Sequence, residues 1–311
     1  MKRFIKKIIL FAFICLAPLT LVQVIVSYRI RDRILYGSDN LDQTSNINAD
    51  LVFLGSSRCC SHFDPAFFDT NFHLKSANIG VDGHSELAMA IIRFKNYLSK
   101  NKAPKFVIIN FDPLCDAGSF TNTTNLFEKP WYARYAFMPG KNNLPFVNYF
   151  KFDAVEKYVP LYALCKYKIL KDCFTITEPT AQAKFGYNRH DEPWDTIDNP
   201  ISSIGKKSFI NSSSEKSTAS MLDSLNRLCL ENHSKLLCIQ TPMYKAVWDS
   251  AAFVQTRKIC SDLNIPYIDA NASAIGNDIE NFYNVFHMNT NGVRKMNTIL
   301  AADSTLTSFL D

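Results

Sequence analysis

Apolar and polar positions alternate along this 311-residue chain in a rhythm that predicts strands and helices in turn. Short apolar runs typical of buried strands occur in LVFLG (51–55), SANIGV (76–81), KFVIINFDP (105–113), KLLCIQTP (235–242) and IPYIDA (265–270). Residues 84–100, 212–233 and about 249–263 space their apolar side chains as amphipathic helices do. The alternation predicts an α/β fold, with a mainly parallel sheet and helices on both faces.

The N-terminal segment has a different pattern. The basic sequence MKRFIKK is followed by an uncharged apolar run from Ile8 to Tyr28, about long enough to cross a bilayer as a helix. The positive charges before the run predict a cytoplasmic N-terminus, and the three arginines after it weaken this bias without reversing it. A cleaved signal peptide is the alternative, but Pro18 follows Ala17 and no A-x-A-like site closes the run.

These features divide the chain into a membrane anchor (or signal peptide) at 1–30, a polar linker at 31–50 and a domain at 51–311. We expect a single-pass protein of the cytoplasmic membrane whose domain lies outside the cytoplasm, in the periplasm if the cell is Gram-negative. Residues of about 113–213 interrupt the strand–helix rhythm and are rich in aromatic side chains. We interpret them as a large insertion that covers one end of the sheet.

Composition excludes some functions. The net charge is +5, but the basic residues are dispersed and form no stripe interleaved with aromatics, so nucleic acid is not an expected partner. The nine cysteines include no C-x-x-C pair and no Cys/His spacing suited to zinc, so we expect neither a metal nor a cofactor. Most cysteines are interpreted as structural, although Cys165 and Cys173 could pair.

Polar residues follow the predicted strands where parallel sheets place ligand sites, beyond their carboxyl ends. Gly55-Ser56-Ser57 follows the first strand, and NIGVDG (78–83) includes the end of the second. His287 precedes the last predicted helix within NFYNVFHMNTNG (281–292). Each of these stretches alone is typical of an ordinary turn.

The residues just after the first predicted strand include four candidate nucleophiles, Ser56, Ser57, Cys59 and Cys60. A nucleophilic cysteine needs exposure and a lowered pKa. The cysteines follow Ser57 by two and three positions and are expected to pack beneath the site.

Together, strand-Gly-x-Ser, Asn-x-Gly and His-x-Asn-x-x-Gly resemble the SGNH (GDSL-like) hydrolase superfamily, in a membrane-anchored extracytoplasmic form. The resemblance runs from about residue 50 to the end, apart from the insertion. It implies a three-layer, flavodoxin-like sandwich around a mainly parallel five-stranded sheet. It also implies Ser57 as nucleophile, His287 as base, and the backbone N–H groups of Ser57 and Gly80 as oxyanion donors.

Two features depart from the family pattern. Asn284 stands three residues before His287, where the family usually has an acid, and we expect it to orient the imidazole. The third strand ends NFDPLCD without the family's Gly-x-Asn turn, which leaves Asn110 as a candidate third oxyanion donor. Arg58, Asn78 and Asp112 are further polar candidates for substrate binding.

The resemblance implies a serine esterase or O-acyltransferase that acts on ester-linked, most simply O-acetyl, groups of a cell-surface or exported polysaccharide. The expected partners are an acylated carbohydrate or other ester, the membrane, and components of polysaccharide assembly. One alternative is a catalytically inactive member that binds glycan or aids polysaccharide assembly. Another is a lipid or thioester hydrolase.

Overall fold

The five apolar runs form one parallel sheet, because strands this rich in Val, Ile, Leu and Phe can be buried on both faces. Neighbouring strands are parallel throughout, in the order β2-β1-β3-β4-β5. The strands are β1 Leu51–Leu54, β2 Ser76–Asn78, β3 Phe106–Asn110, β4 Lys235–Gln240 and β5 Tyr267–Asp269. This is the doubly wound order of flavodoxin-like folds, in which the switch point lies between β1 and β3.

The computed structural model describes residues 1–33, 44, 46–111, 113, 115, 129–137, 148–171, 186–197, 212–245 and 250–311. Its helices are α1 Lys2–Arg33, α2 Ser57–His62, α3 Pro65–Phe72, α4 Leu87–Leu98, α5 Lys129–Tyr132, α6 Ala154–Tyr158, α7 Tyr162–Lys166, α8 Ser212–Glu231, α9 Ser250–Asp262, α10 Thr290–Ala301 and α11 Ser304–Leu310. Short 3₁₀ segments occupy Ala133–Tyr135, Ala270–Ala272, Ala274–Asn277 and Ile279–Asn281.

Alternate side chains of each strand enter two separate cores, as the pleat of a strand requires. Leu51 and Phe53 of β1 lie in a core with residues of α2, α3, α10 and α11. Val52 and Leu54 lie in a second core with residues of α4, α8 and α9. The sheet is therefore the middle of three layers, and the predicted α/β sandwich is confirmed.

The chain divides into two compact units, with residues Tyr36–Gly118 and Thr180–Asp311 forming the one that contains the sheet. The other unit comprises Met1–Leu35 and Ser119–Pro179. Its helix α1 contains a 26-residue stretch, Lys2–Ser27, that is long and apolar enough to cross a membrane, and an 18-residue window within it has a mean hydropathy of 2.6.

A buried carboxylate joins several elements of the smaller unit. Glu156 is fully buried and accepts hydrogen bonds from Lys166 Nζ at 2.7 Å and from the Tyr167 hydroxyl at 2.5 Å. Lys129 Nζ lies 3.3 Å from the same carboxylate, and Asp153 forms a reciprocal capping box with Glu156 at the start of α6. A buried charge this well paired holds α6 and α7 together.

Gly55 connects β1 to α2 in a conformation that other residues rarely adopt. Its φ is +144°, and a Cβ there would lie 2.9 Å from Cys59 Cβ and 3.1 Å from Asn110 Cβ. The chain can therefore turn sharply at the end of β1 and begin α2 two residues later.

We predict that Gly55→Ala lowers the free energy of unfolding by about 2–4 kcal/mol, because it adds backbone strain to a steric clash. Urea denaturation measures the change. Gly83→Ala is the control, since Gly83 is exposed and its φ of 75° is closer to the left-handed region that alanine tolerates. Equal losses in the two variants would contradict this account.

Candidate active site

Ser57 is the first residue of α2, directly beyond the carboxyl end of β1. Ser56 caps the helix, with its hydroxyl oxygen accepting a hydrogen bond from the Arg58 backbone N–H at 3.3 Å. The Ser57 backbone N–H has no hydrogen-bond partner among the described residues, as expected in the first turn of a helix. Ser57 thus combines a hydroxyl at the sheet end with an adjacent free donor.

His287 lies in a short hairpin before α10. Phe282 and Met288 form an antiparallel bridge, and the Tyr283 N–H donates to the His287 carbonyl at 3.1 Å. At the base of the hairpin, the Asn289 amide nitrogen donates to the carbonyls of Glu280 and Phe282. These bonds hold residues 284–287 at the tip of the hairpin.

Ser57, His287 and Asn284 form a continuous hydrogen-bonded row. Ser57 Oγ lies 2.8 Å from His287 Nε2, and His287 Nδ1 lies 3.0 Å from Asn284 Oδ1. Asn284 Oδ1 also accepts the backbone N–H groups of Phe286 at 2.9 Å and His287 at 3.0 Å. Since backbone N–H groups can only donate, the atom that they face must be the amide oxygen.

The orientation of Asn284 decides the tautomer of His287. An amide oxygen can only accept, so the proton of the neutral ring lies on Nδ1, and Nε2 is left free to accept the Ser57 hydroxyl proton. In the serine-protease triad, an Asp-to-Asn change costs about 10⁴ in rate because the imidazole adopts the wrong tautomer. Here the two backbone N–H groups lock the amide in the orientation that avoids this fault.

Asn284 supplies no negative charge beside the His287 imidazole. Burial lowers the pKa of His287 to about 3, assisted by the nearby Arg58 guanidinium and by His190. His287 is therefore neutral at ordinary pH. An imidazolium formed there would have no carboxylate partner on Nδ1 to stabilise it.

Two further side chains of α2 hold the His287 hairpin in place. Arg58 and His62 are four residues apart and so lie on the same side of the helix. The Arg58 guanidinium donates to the Phe286 carbonyl, and the His62 ring accepts the Met288 N–H at Nε2 over 3.0 Å. The helix that carries Ser57 thus binds the hairpin on both sides of His287.

Thr241, just beyond β4, joins these two side chains. Its hydroxyl accepts from Arg58 at 2.8 Å and from His62 Nδ1 at 2.8 Å, and it donates to Asn110 Oδ1 at 3.5 Å. A hydroxyl has one proton and two lone pairs, so Thr241 is fully used. His62 is completely buried, and its burial and the nearby Arg58 lower its pKa well below the usual value, which keeps the ring neutral. We call Arg58, His62 and Thr241 the clamp.

Several predicted site residues have other roles. Gly80 was expected to donate to an oxyanion, but its N–H donates to Asn78 Oδ1 at 3.1 Å. Asn78 is buried, and its amide nitrogen donates to the carbonyls of Cys59 and Phe63, so it supports the backbone instead of binding substrate.

The remaining polar candidates also need correction. Arg58 was expected to bind substrate, but it is 1% exposed and belongs to the clamp. Asn110 was expected to assist the oxyanion, but it is buried and its amide donates to the Ile239 carbonyl at 3.3 Å, across the end of the sheet. Asp112 lies outside the described residues.

The cysteines beside Ser57 pack beneath the site, as expected. Cys59 and Cys60 are buried, and the Cys59 thiol donates to Asn78 Oδ1 at 3.3 Å. Burial raises the pKa of Cys59 well above its usual value, which disfavours the thiolate. Cys165 is a free thiol, and Cys173 lies outside the described residues. The described part of the chain contains no cluster of three or more His, Cys, Asp or Glu that could hold a metal.

Sequence reasoning missed His62, Thr241 and an aromatic stack beside the base. The His190 ring stacks on Tyr283 with centroids 3.8 Å apart, and Tyr283 stacks on His287 at 5.4 Å. The spacing of Arg58 and His62 signals that the two side chains share one side of α2, but not what they bind. Thr241 and His190 are far from Ser57 in sequence and had no such signal.

No protein-family model and no curated protein sequence matches the chain. Among solved structures, it is similar to a protein assigned as an acylhydrolase from Bacteroides fragilis, with 13% identity and a TM-score of 0.42 over 87% of this chain and 95% of that one. It is also similar to a GDSL-like lipase from Bacteroides thetaiotaomicron, with 12% identity and a TM-score of 0.38 over 83% of this chain and 88% of that one. At these identities and TM-scores, the chemistry of the site must be argued from the residues of this chain.

We predict that Thr241→Val lowers the free energy of unfolding by about 1–3 kcal/mol, because it leaves the buried His62 Nδ1–H without its acceptor and removes one of the acceptors of Arg58. It should also slow any reaction of Ser57, since the hairpin that carries His287 loses its support. Thermal unfolding and the rate of covalent labelling of Ser57 measure the two effects. Thr241→Ser keeps the hydroxyl and is the control. A valine variant that behaves like the serine variant would show that the clamp is dispensable.

The low pKa of His287 predicts an unusual pH dependence. The base is active when neutral, so the labelling rate should stay nearly constant from about pH 8 down to about pH 5, where an ordinary histidine would already be protonated. In Asn284→Asp a carboxylate should raise the pKa of His287 and shift the acidic fall in rate to higher pH. Asn284→Ala, which neither orients nor charges the ring, should be slow at every pH. A wild-type rate that halves near pH 6.5 would contradict the assignment.

Proposed function

We propose that this protein transfers an acyl group from an ester to water or to another hydroxyl through a covalent intermediate on Ser57. The observation that carries the proposal is the 2.8 Å contact between Ser57 Oγ and His287 Nε2, in a ring whose tautomer is set by Asn284. A serine hydroxyl becomes an effective nucleophile when a base within hydrogen-bond reach takes its proton.

In the proposed reaction, Ser57 Oγ attacks the ester carbonyl as its proton moves to His287 Nε2. The oxyanion of the tetrahedral intermediate faces the Ser57 backbone N–H at the start of α2. The intermediate collapses to the acyl-enzyme, and the leaving alkoxide takes the proton from His287. Water or an acceptor alcohol then gives its proton to His287, attacks the acyl carbonyl, and releases Ser57 by the reverse sequence.

We further propose where the protein is located and which substrate it acts on. The apolar helix α1 supports an uncleaved membrane anchor, with the catalytic unit on the extracytoplasmic side. We propose as substrate an O-acylated, most simply O-acetylated, polysaccharide at the cell surface or during export. The half-buried His190 and Tyr283 beside the base provide aromatic faces of the kind that pack against sugar rings.

Two alternatives make different predictions. A non-catalytic, glycan-binding protein would have no need of the hydrogen-bonded row from Asn284 to Ser57, so we rank it below catalysis. A lipid or thioester hydrolase would use the same row but would prefer long acyl chains. Rates on acetyl, butyryl and long-chain esters of one chromogenic alcohol distinguish this class, and a preference for long chains would overturn the O-acetyl proposal.

Labelling with a fluorophosphonate tests the Ser57 mechanism. We expect wild-type protein to react covalently at Ser57, and Ser57→Ala and His287→Ala to lose at least about 10³-fold in rate, since nucleophile and base act as a unit. Ser56→Ala is the matched control, because this neighbouring serine only caps α2 and its loss costs about 1 kcal/mol of stability. Labelling that persists in Ser57→Ala, or no labelling of the wild type, would reject the mechanism.

A further inference from the structure

The smaller unit carries an exposed apolar face that the proposed reaction does not use. Helix α6 and the start of α7 expose four side chains: Val155 (44% exposed), Tyr158 (70%), Val159 (42%) and Tyr162 (40%). Glu156, Pro160 and Ala163 between them point inward and are buried. We call these four exposed side chains the Tyr158 face.

Contacts within this unit tie the Tyr158 face to the outer end of the apolar helix. Gln23 of α1 is 1% exposed, and its side-chain oxygen accepts the backbone N–H of Leu161, which lies between Val159 and Tyr162. Its amide nitrogen donates to Ser27, the last residue of the apolar stretch. Leu161 is therefore bonded to a residue only four positions, about 6 Å of helix, before the end of the stretch.

This position fits the boundary between water and lipid. In a bilayer spanned by Lys2–Ser27, the last turns of the stretch lie near the headgroups, within the roughly 5–10 Å that interfacial helices penetrate. Most side chains of α1 before Gln23 are exposed and apolar, as lipid-facing positions should be. The chain that packs on Gln23 thus lies at the level of the membrane surface.

The chemistry of the face agrees with this position. Tyrosine is enriched at membrane interfaces, where its ring meets the acyl chains and its hydroxyl meets water. Residues 148–171 contain five lysines and two acidic residues, so their net charge is +3. Lys166 pairs with Glu156 and Asp153, whereas Lys151, Lys157, Lys168 and Lys171 form no ion pair within the described part of the chain. Free lysines beside an apolar face are attracted to anionic lipid headgroups.

We propose that the Tyr158 face inserts into the headgroup region of the same membrane that α1 crosses, and so forms a second, interfacial membrane contact. The proposal rests on the membrane anchorage proposed above and not on the Ser57 chemistry. A lipid surface is the occupant that best matches exposed tyrosines and valines, lysines nearby in the chain, and a direct bond to the apolar helix α1.

Photo-crosslinking in the full-length protein tests this. A benzophenone amino acid replaces Tyr158 or Tyr162 in separate variants, reconstituted in vesicles of phosphatidylglycerol and phosphatidylethanolamine. Phe13 of α1 is the positive control, and Val254, which is 64% exposed on α9, is the control for an exposed apolar residue of the other unit. An unchanged unfolding midpoint verifies that each variant is folded, and two independent positions guard against a local defect.

We expect phospholipid adducts, detected by mass, at Phe13, Tyr158 and Tyr162 but not at Val254. Adducts at Phe13 with none at Tyr158 and Tyr162 would overturn the interfacial contact and leave the anchor intact. Adducts to protein in place of lipid at the two tyrosines, or equal lipid adducts at Val254, would also overturn it. Absence of lipid at Phe13 would instead reject the anchorage on which the proposal rests.

Discussion

The clamp of Arg58, His62 and Thr241 is the constraint on which the site depends. Ser57 and His287 are 230 positions apart, and nothing local keeps their side chains within 2.8 Å of each other. The clamp does so because Arg58 and His62 belong to the same short helix as Ser57 and bind the backbone on either side of His287. Thr241 extends the connection to the end of β4, so three strand ends and the hairpin form one hydrogen-bonded assembly.

The same assembly explains how an asparagine can stand where an acid is usual. A triad carboxylate both orients the imidazole and stabilises its positive charge. Asn284 performs the first task, because the hairpin directs two backbone N–H groups at its oxygen. It leaves the second task undone, while burial and the nearby Arg58 lower the pKa of His287 to about 3.

The features that could be predicted from the sequence are those that depend on residues close together in the chain. The strand–helix rhythm, the position of Ser57 after a buried strand and that of His287 before a helix depend on residues near one another in the chain, and they were found. Gly80 was misassigned because Asn78 folds back to accept the N–H two residues on, a turn that asparagine commonly forms and that the Asn-Ile-Gly order could have suggested. The roles of Arg58 and Thr241 could not be predicted, because their partners come from distant segments that only the folded sheet brings together.

The most direct measurement of the central claim is the detection of the acyl-enzyme itself. The protein is mixed with an activated acetyl ester, quenched in acid within the first turnovers, and digested for peptide mass analysis. The account predicts one acetyl group on Ser57, present in wild type and absent in His287→Ala. No acetyl group on the protein, or an acetyl group on Cys59 or Cys60 instead, would contradict it.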